Sequence, residues 1–319
     1  MLSPDFHQLQ AIDHRALVHE AAAGLLDRPA RLAPKFLYDA LGSRLFDAIT
    51  ELDEYYPTRT EASIFEAHLP AIAQAVQGHL GAGINLVDLG AGNGAKAARL
   101  FGALAPARYV AVDISVDFTA QALRRMQREH PAIRMVGVGL DFSARLQLPA
   151  DLLDGPTLVF YPGSSIGNFD PPQAVRLLRE ARALAERSAL LVGVDLLKDA
   201  ARLEAAYDDE VGVTAAFNLN LLRHLNRLIG SDFKTRQWRH VARFDARLMR
   251  VEMHLEAAQD LCVRWPDGRR EFVAGERIHT ESAYKWTPAG FESLLRDCGF
   301  TSLRRWTDAA SDFALFLAA

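Results

Sequence analysis

Residues 87–96 read Val-Asp-Leu-Gly-Ala-Gly-Asn-Gly-Ala-Lys, an acid and three alternating glycines between an apolar run and a helix-forming stretch. Glycines at such a turn let backbone N–H groups approach a nucleotide closely. Two ligands fit. Gly90, Gly92 and Ala95 match the G-x-G-x-x-G/A loop of dinucleotide-binding proteins. Asp88, Gly90, Gly92 and Gly94 equally match the acidic-x-G-x-G-x-G loop of S-adenosylmethionine (SAM) methyltransferases. In either case Asp113, about twenty residues on, is placed to grip ribose hydroxyls. Asp141-Phe142 favours SAM, because an acid there can hold the adenine amino group and an aromatic can cover the ring.

These residues need a scaffold, and the chain supplies short apolar runs at regular intervals. Ile84–Asp88, Tyr109–Asp113, Ile133–Val138, Thr157–Tyr161 and Ala189–Val194 read as strands. Lys96–Leu104, Phe118–Gln127 and Ala174–Ala185 read as the helices between them. Continuous apolar strands alternating with amphipathic helices predict a parallel sheet covered on both faces. Near the end, Thr287-Pro288 opens a helix that Gly299 stops. Ser302–Trp306 and Phe313–Leu317 follow with too little chain between them for a crossover, so they pair antiparallel. Parallel strands ending in an antiparallel hairpin match the SAM reading, whereas a dehydrogenase sheet would stay parallel.

Between Asp195 and Thr287 the pattern changes. Ala200–Tyr207 and Val213–Leu228 read as helices. Arg247–Ala257 alternates apolar and polar residues, the mark of an antiparallel strand with one wet face. Trp265-Pro-Asp-Gly268 is a turn signal inside a hairpin spanning Leu261–Val273. The expected division is a SAM-binding domain of residues 61–196 and 287–319, with residues 1–60 and 197–286 forming an α+β substrate-binding domain.

Composition narrows the partners. The 319 residues, 50% of them hydrophobic, can bury a sizeable core. A formal net charge of −4 argues against an electrostatic nucleic-acid binder. Cys262 and Cys298 form no CxxC pair, so neither a disulfide scaffold nor a zinc ribbon is expected. The apolar runs are too short to span a bilayer, and the N-terminus lacks a secretory pattern. A cytoplasmic monomer acting on a small molecule is the expectation, with no nucleic-acid or membrane partner.

Several segments together resemble one family. They are Pro34-Lys-Phe-Leu-Tyr-Asp-Ala-Leu-Gly-Ser-Arg-Leu-Phe46, Glu54-Tyr-Tyr-Pro-Thr-Arg59, Pro162-Gly-Ser-Ser-Ile-Gly-Asn-Phe169, Asp195-Leu-Leu-Lys-Asp199, Ala206-Tyr-Asp-Asp209 and His279-Thr-Glu-Ser-Ala-Tyr-Lys285. In that order they resemble the histidine Nα-methyltransferases, which make hercynine for ergothioneine. The likeness runs from about Pro34 to the C-terminus. It implies a class I SAM-dependent methyltransferase, a Rossmann-like seven-stranded α/β sheet with an antiparallel last strand, carrying an inserted substrate domain. It further implies that Tyr38, Gly90, Gly92, Lys96, Asp113, Asp141 and Phe142 bind the cofactor. Asn168 and Tyr207 would hold the amine and carboxylate of the substrate, Tyr55 and Glu281 its imidazole. Gly163, Ser165, Phe46 and Met253 would shape the pocket.

Methyl transfer from a sulfonium needs little acid–base machinery: a neutral amine must be held in line with the S–CH₃ bond. Amide and hydroxyl partners suffice, S-adenosylhomocysteine is the by-product, and no cluster of acids and histidines calls for a metal. Glu281 is the expected specificity residue, since a carboxylate accepts a charge-assisted bond from a ring N–H. One position departs from the family, which carries a serine two residues after this glutamate. Here Ala283 stands there and Ser282 one place nearer, so either Ser282 or a water meets the second ring nitrogen, or Glu281 and Tyr55 alone hold the ring, or the substrate is not plain histidine. The departure keeps another aromatic or modified amino acid as the alternative substrate. An NAD-linked oxidoreductase is the remote alternative, resting on the glycine loop.

Overall fold

A computed structural model of the chain describes residues 2–9 and 13–319. It divides into two compact units. Pro57–Leu197 and Lys285–Ala319, with the N-terminal strand Asp5–Gln8, form one; the described residues from Asp13 to Tyr56, with Lys198–Tyr284, form the other.

The first unit is built on an eight-stranded sheet. From edge to edge its strands are Asp5–Gln8, Arg134–Gly139, Arg108–Asp113, Asn85–Leu89, Thr157–Tyr161, Ser188–Asp195, Phe313–Ala318 and Leu303–Thr307. The first six run parallel, and Phe313–Ala318 runs antiparallel to both of its neighbours. Within each central strand, alternate residues enter different cores. Val87, Val110, Val159 and Val192 pack with Leu177 and Leu178 of helix Pro171–Arg182 and with Phe291 and Leu295 of helix Pro288–Asp297. Leu86, Tyr109, Phe160 and Leu191 pack with Ile64 and Phe65 of helix Tyr56–Leu80, Leu100 of Ala95–Leu104 and Leu123 of Val116–Glu129. A period of two dividing one strand between two helical layers produces the doubly wound arrangement.

The seven strands expected from the sequence are all present, and an eighth is added. Asp5–Gln8 pairs in parallel with Arg134–Gly139, and Asp5 meets Arg134 at 3.1 Å. The sequence reading assigned residues 1–60 to the substrate domain. The structure instead gives this first strand to the sheet, because its backbone ladder and ion pair both lie on that edge. The helix start at Thr287 forms as expected: its hydroxyl accepts the Gly290 N–H at 3.1 Å and Pro288 takes the first helical position.

The second unit combines the helices His14–Leu26, Ala40–Ile49, Ala200–Ala205 and Val213–Leu228 with a mixed four-stranded sheet. Its strand order is Ala30–Arg31, Arg277–Tyr284, Arg250–Ala257, Trp238–Asp245. Leu261–Trp265 and Gly268–Phe272 form the separate expected hairpin. Val251, Met253, Leu255 and Ala257 turn inward onto Phe217, Leu221, Leu222 and Leu225 of helix Val213–Leu228. Among the described residues no helix is long and apolar enough to cross a membrane.

Candidate active site

At the end of strand Asn85–Leu89 the chain turns through Gly90, Gly92 and Gly94, whose φ values are +70°, +53° and +73°. That left-handed backbone is cheap only for glycine, which explains the alternating pattern. The turn is tied to the next strand: Gly90 N–H donates to the Val112 carbonyl at 2.9 Å, and Gly92 N–H to Asp113 Oδ2 at 2.9 Å. Asp113 Oδ1 accepts the Ser115 N–H at 2.7 Å. Burial pushes the Asp113 carboxyl up, and the Ser115 and Gly92 donors pull it back. A carboxylate fixed in this way at a strand end is an acceptor of the kind a ribose diol requires.

Asp141 and Phe142 follow strand Arg134–Gly139. Asp141 Oδ1 takes the Ser143 N–H at 3.1 Å and also its hydroxyl, which fixes the carboxylate's orientation. The Phe142 ring packs edge-on to Tyr161 with centroids 5.9 Å apart. A Cβ at Gly90 would stand 3.9 Å from Phe142 Cζ, filling the gap between loop and ring that the bare glycine leaves open. A glycine cradle at one strand end, an acid at the next, and an acid and aromatic after the third fit an adenosine group. Lys96 lies in the first turn of the following helix, its ammonium 2.8 Å from Glu61 Oε2. Beneath the loop, burial raises the Asp88 carboxyl to about 7, against the bond it accepts from Tyr109 Oη at 2.8 Å.

Asn168 ends a short 3-10 turn, Ser165–Asn168, just past strand Thr157–Tyr161 and in the same unit as the glycine loop. This is the carboxyl edge of a parallel sheet, where open α/β folds bind ligands. Gly163 opens the turn at φ +77°, and the Ser165 hydroxyl donates to the Pro162 carbonyl at 3.2 Å. The half-buried Asn168 amide makes no hydrogen bond to another described residue.

The remaining expected residues belong to the second unit. Tyr38 and Phe46 pack edge-on at 5.6 Å, Phe46 and Tyr55 at 6.2 Å, and Tyr55 and Tyr207 at 6.3 Å. Phe217 closes the cluster against Tyr38 and Phe46, and Met253 and Ala283 share its apolar core. Tyr38, expected to bind the cofactor, belongs to this aromatic cluster of the second unit. Glu281, Ser282 and Ala283 lie on strand Arg277–Tyr284 and pair with Met253, Glu252 and Val251. Directly paired residues share a face. Glu281 and Ala283 therefore face the apolar core with Met253, and Ser282 faces the other way with Glu252. The Ser282 hydroxyl, one of the alternatives for the second ring nitrogen, sits 3.0 Å from His279 Nε2, on the opposite face of the strand from Glu281.

Two groups were not anticipated, one in each unit. Glu61 is one, although an acid three and four positions before Ile64 and Phe65 on the same helix stripe was a readable signal. His240 is another. Its Nε2 donates to the Tyr207 carbonyl at 2.8 Å, and its Nδ1 accepts the Asn218 amide at 2.9 Å. Its strand, Trp238–Asp245, had no clear alternation to reveal it.

A family model described as histidine-specific, SAM-dependent methyltransferase matches residues 17–319. The histidine N-alpha-methyltransferase of Mycobacterium tuberculosis is 39% identical over 314 residues, covering 96% of this chain and 95% of that protein. Its namesake in Mycolicibacterium smegmatis is 40% identical over 310 residues, covering 95% and 94%. Ergothioneine biosynthesis protein 1 of Neurospora crassa is 29% identical over 291 residues, which span 88% of this chain and 32% of the fungal protein.

Proposed function

The chain belongs to the family of SAM-dependent, histidine-specific methyltransferases, and we propose that it methylates the α-amino group of L-histidine, up to three times, to give hercynine. With the family and the antiparallel Phe313–Ala318 strand in place, the dinucleotide reading of the glycine loop is set aside.

SAM, when bound, supplies a sulfonium methyl that is already activated. What the chain must do is hold, orient and desolvate. In this reading Asp113 accepts ribose hydroxyls, Asp141 and Phe142 take the adenine, and Gly90, Gly92 and Lys96 line the rest of the cofactor. Asn168 and Tyr207 hold the amine and carboxylate of the amino acid, with Gly163 and Ser165 shaping the turn. Tyr55 and Glu281 meet the imidazole, and Phe46, Met253 and Ala283 wall the ring.

The observation that carries the reading is the Asn168 turn: a half-buried amide with no partner among the described residues, at the carboxyl edge beside a glycine loop. Incubation with SAM and a panel of amino acids, read by mass spectrometry, tests it. Histidine should gain methyl groups, and Asn168→Ala should lower turnover far more than SAM affinity. A panel in which histidine stays unmethylated rejects the substrate. A second reading, methylation of another aromatic or modified amino acid, is favoured by Ala283, which leaves only Glu281 as a polar group of that strand stretch on the inward face. The same panel decides between them.

A further inference from the structure

Glu61, on helix Tyr56–Leu80, is only 2% exposed, yet it is a carboxylate held by two segments distant in sequence. Its Oε2 accepts the Lys96 ammonium at 2.8 Å, and its Oε1 accepts the Gly163 N–H at 2.8 Å. The strand beneath makes room for it: a Cβ at Gly193 would lie 2.2 Å from Glu61 Oε1. One buried group thus joins the first turn of the helix after the glycine loop to the turn that ends in Asn168. The next residue of that turn is pinned too. Ser164 sits at φ +58°, and its Oγ accepts the Asp195 N–H at 2.9 Å.

We propose that Glu61 is a positioning residue for methyl transfer, setting the Gly163–Asn168 turn and the Lys96 ammonium in one register; the claim rests on the assignment of Asn168 to the substrate amine. The residue type follows from the double task. A single side chain must accept from a cation and from a peptide N–H at once, and a carboxylate has an oxygen for each. A glutamine keeps an oxygen for Gly163 but turns its NH₂ toward Lys96, donor against donor. An aspartate keeps the charge but is a methylene too short to reach both.

The test compares wild type with Glu61→Gln, Glu61→Asp and Glu61→Ala. Three readouts are used: kcat and KM for histidine at saturating SAM, affinity for S-adenosylhomocysteine by calorimetry, and hydrogen exchange of the peptide containing Gly163. Glu61→Asp and Glu61→Ala should speed exchange at Gly163 by about tenfold, the scale of one lost hydrogen bond. They should also lower kcat by about tenfold or more, with KM little changed, because a misplaced amine holder acts on the reacting geometry. Glu61→Gln should keep Gly163 protection and most of kcat, while S-adenosylhomocysteine affinity shifts through the displaced Lys96. Unaltered Gly163 exchange in Glu61→Asp, or altered exchange with normal kcat, overturns the proposal. Should Glu61→Ala not fold, the other two variants decide. A wild type that leaves histidine unmethylated refutes the function proposed above, and Gly163 exchange alone then decides the role of Glu61.

Discussion

Glu281 stands directly across the antiparallel ladder from Met253, and both side chains are buried. A bulge just before it, at Thr280, whose hydroxyl donates to the Met253 carbonyl at 3.0 Å, sets that register. The pairing puts a carboxylate at the edge of an apolar wall, the arrangement that makes a ring N–H worth recognising. Glu281→Gln is expected to raise KM for histidine by about tenfold to a hundredfold, the value of a charge-assisted bond. Ala283→Ser, on the same face, should lower it by a few-fold to about tenfold. Steady-state kinetics of both variants and their double check this. A KM for histidine indifferent to Glu281→Gln removes the imidazole assignment.

Asp113 holds its own loop, besides the ribose role proposed for it, so its two substitutions should differ. Asp113→Asn keeps an acceptor for the Gly92 N–H, and Asp113→Ala loses it. SAM affinity should fall by about 1.5–3 kcal/mol in Asp113→Ala, and by less in Asp113→Asn. Calorimetric titration reads both, and equal affinities in all three proteins would move the ribose elsewhere.

His240 should leave a signature in pH. Burial, the largest cause, holds its pKa below the ordinary value, against the Tyr207 carbonyl and the charges of Asp208 and Asp209. The unfolded chain then takes up a proton at about pH 6.5 that the folded chain refuses, so the His240 contribution is complete above that pH and is lost as pH falls below it. Measured by denaturant titration, the stability advantage of wild type over His240→Gln should shrink between about pH 7 and pH 5. His254, also held low by burial, is common to both proteins and cancels. A constant difference across that range would show that His240 does not titrate differently on folding.

Lys285 and Asp195 form an ion pair at 2.7 Å with both side chains 1% exposed. Removing one partner strands a buried charge. Lys285→Met alone should therefore cost about 3–5 kcal/mol, and Lys285→Met with Asp195→Leu markedly less. Thermal melts of the single and double variants check this; additive losses would mean that each group is held by its other neighbours rather than by the pair.

The sheet was legible because both of its faces are covered, so Val87, Val110 and Val159 lie in continuous apolar runs that end at chemistry-bearing residues. Four strands were not, the shortest being the two-residue Ala30–Arg31. Asp5–Gln8 is four residues of mixed polarity at an edge. Trp238–Asp245 lacks alternation because it is an edge strand with mostly half-exposed side chains. Arg277–Tyr284 hides its period of two behind the bulge, and that same bulge decides that Ser282 faces away from Glu281. Of the residues proposed for the cofactor, Gly90, Gly92, Asp113, Asp141 and Phe142 followed from loop and strand-end positions, and Tyr38 and Lys96 from the resemblance alone. Asn168, Tyr207 and Glu281 required the family resemblance, since nothing in spacing alone marks an asparagine after a strand as an amine holder. Glu61 and His240 escaped both, because their importance lies in contacts made across long sequence separations.

The eight-stranded sheet has a consequence for how the chain leaves the ribosome. Strand Ser188–Asp195 emerges first, and its neighbour on one side, Phe313–Ala318, is synthesised only after the whole Lys198–Tyr284 insertion. At about 5–20 residues per second the gap is on the order of ten seconds. Throughout that interval a largely apolar strand presents an unsatisfied edge, the template on which nascent chains pair wrongly with one another. A circular permutant in which Lys285–Ala319 precedes the rest would have that partner strand ready when Ser188–Asp195 appears. Its yield of native protein during translation without chaperones should exceed that of the natural order.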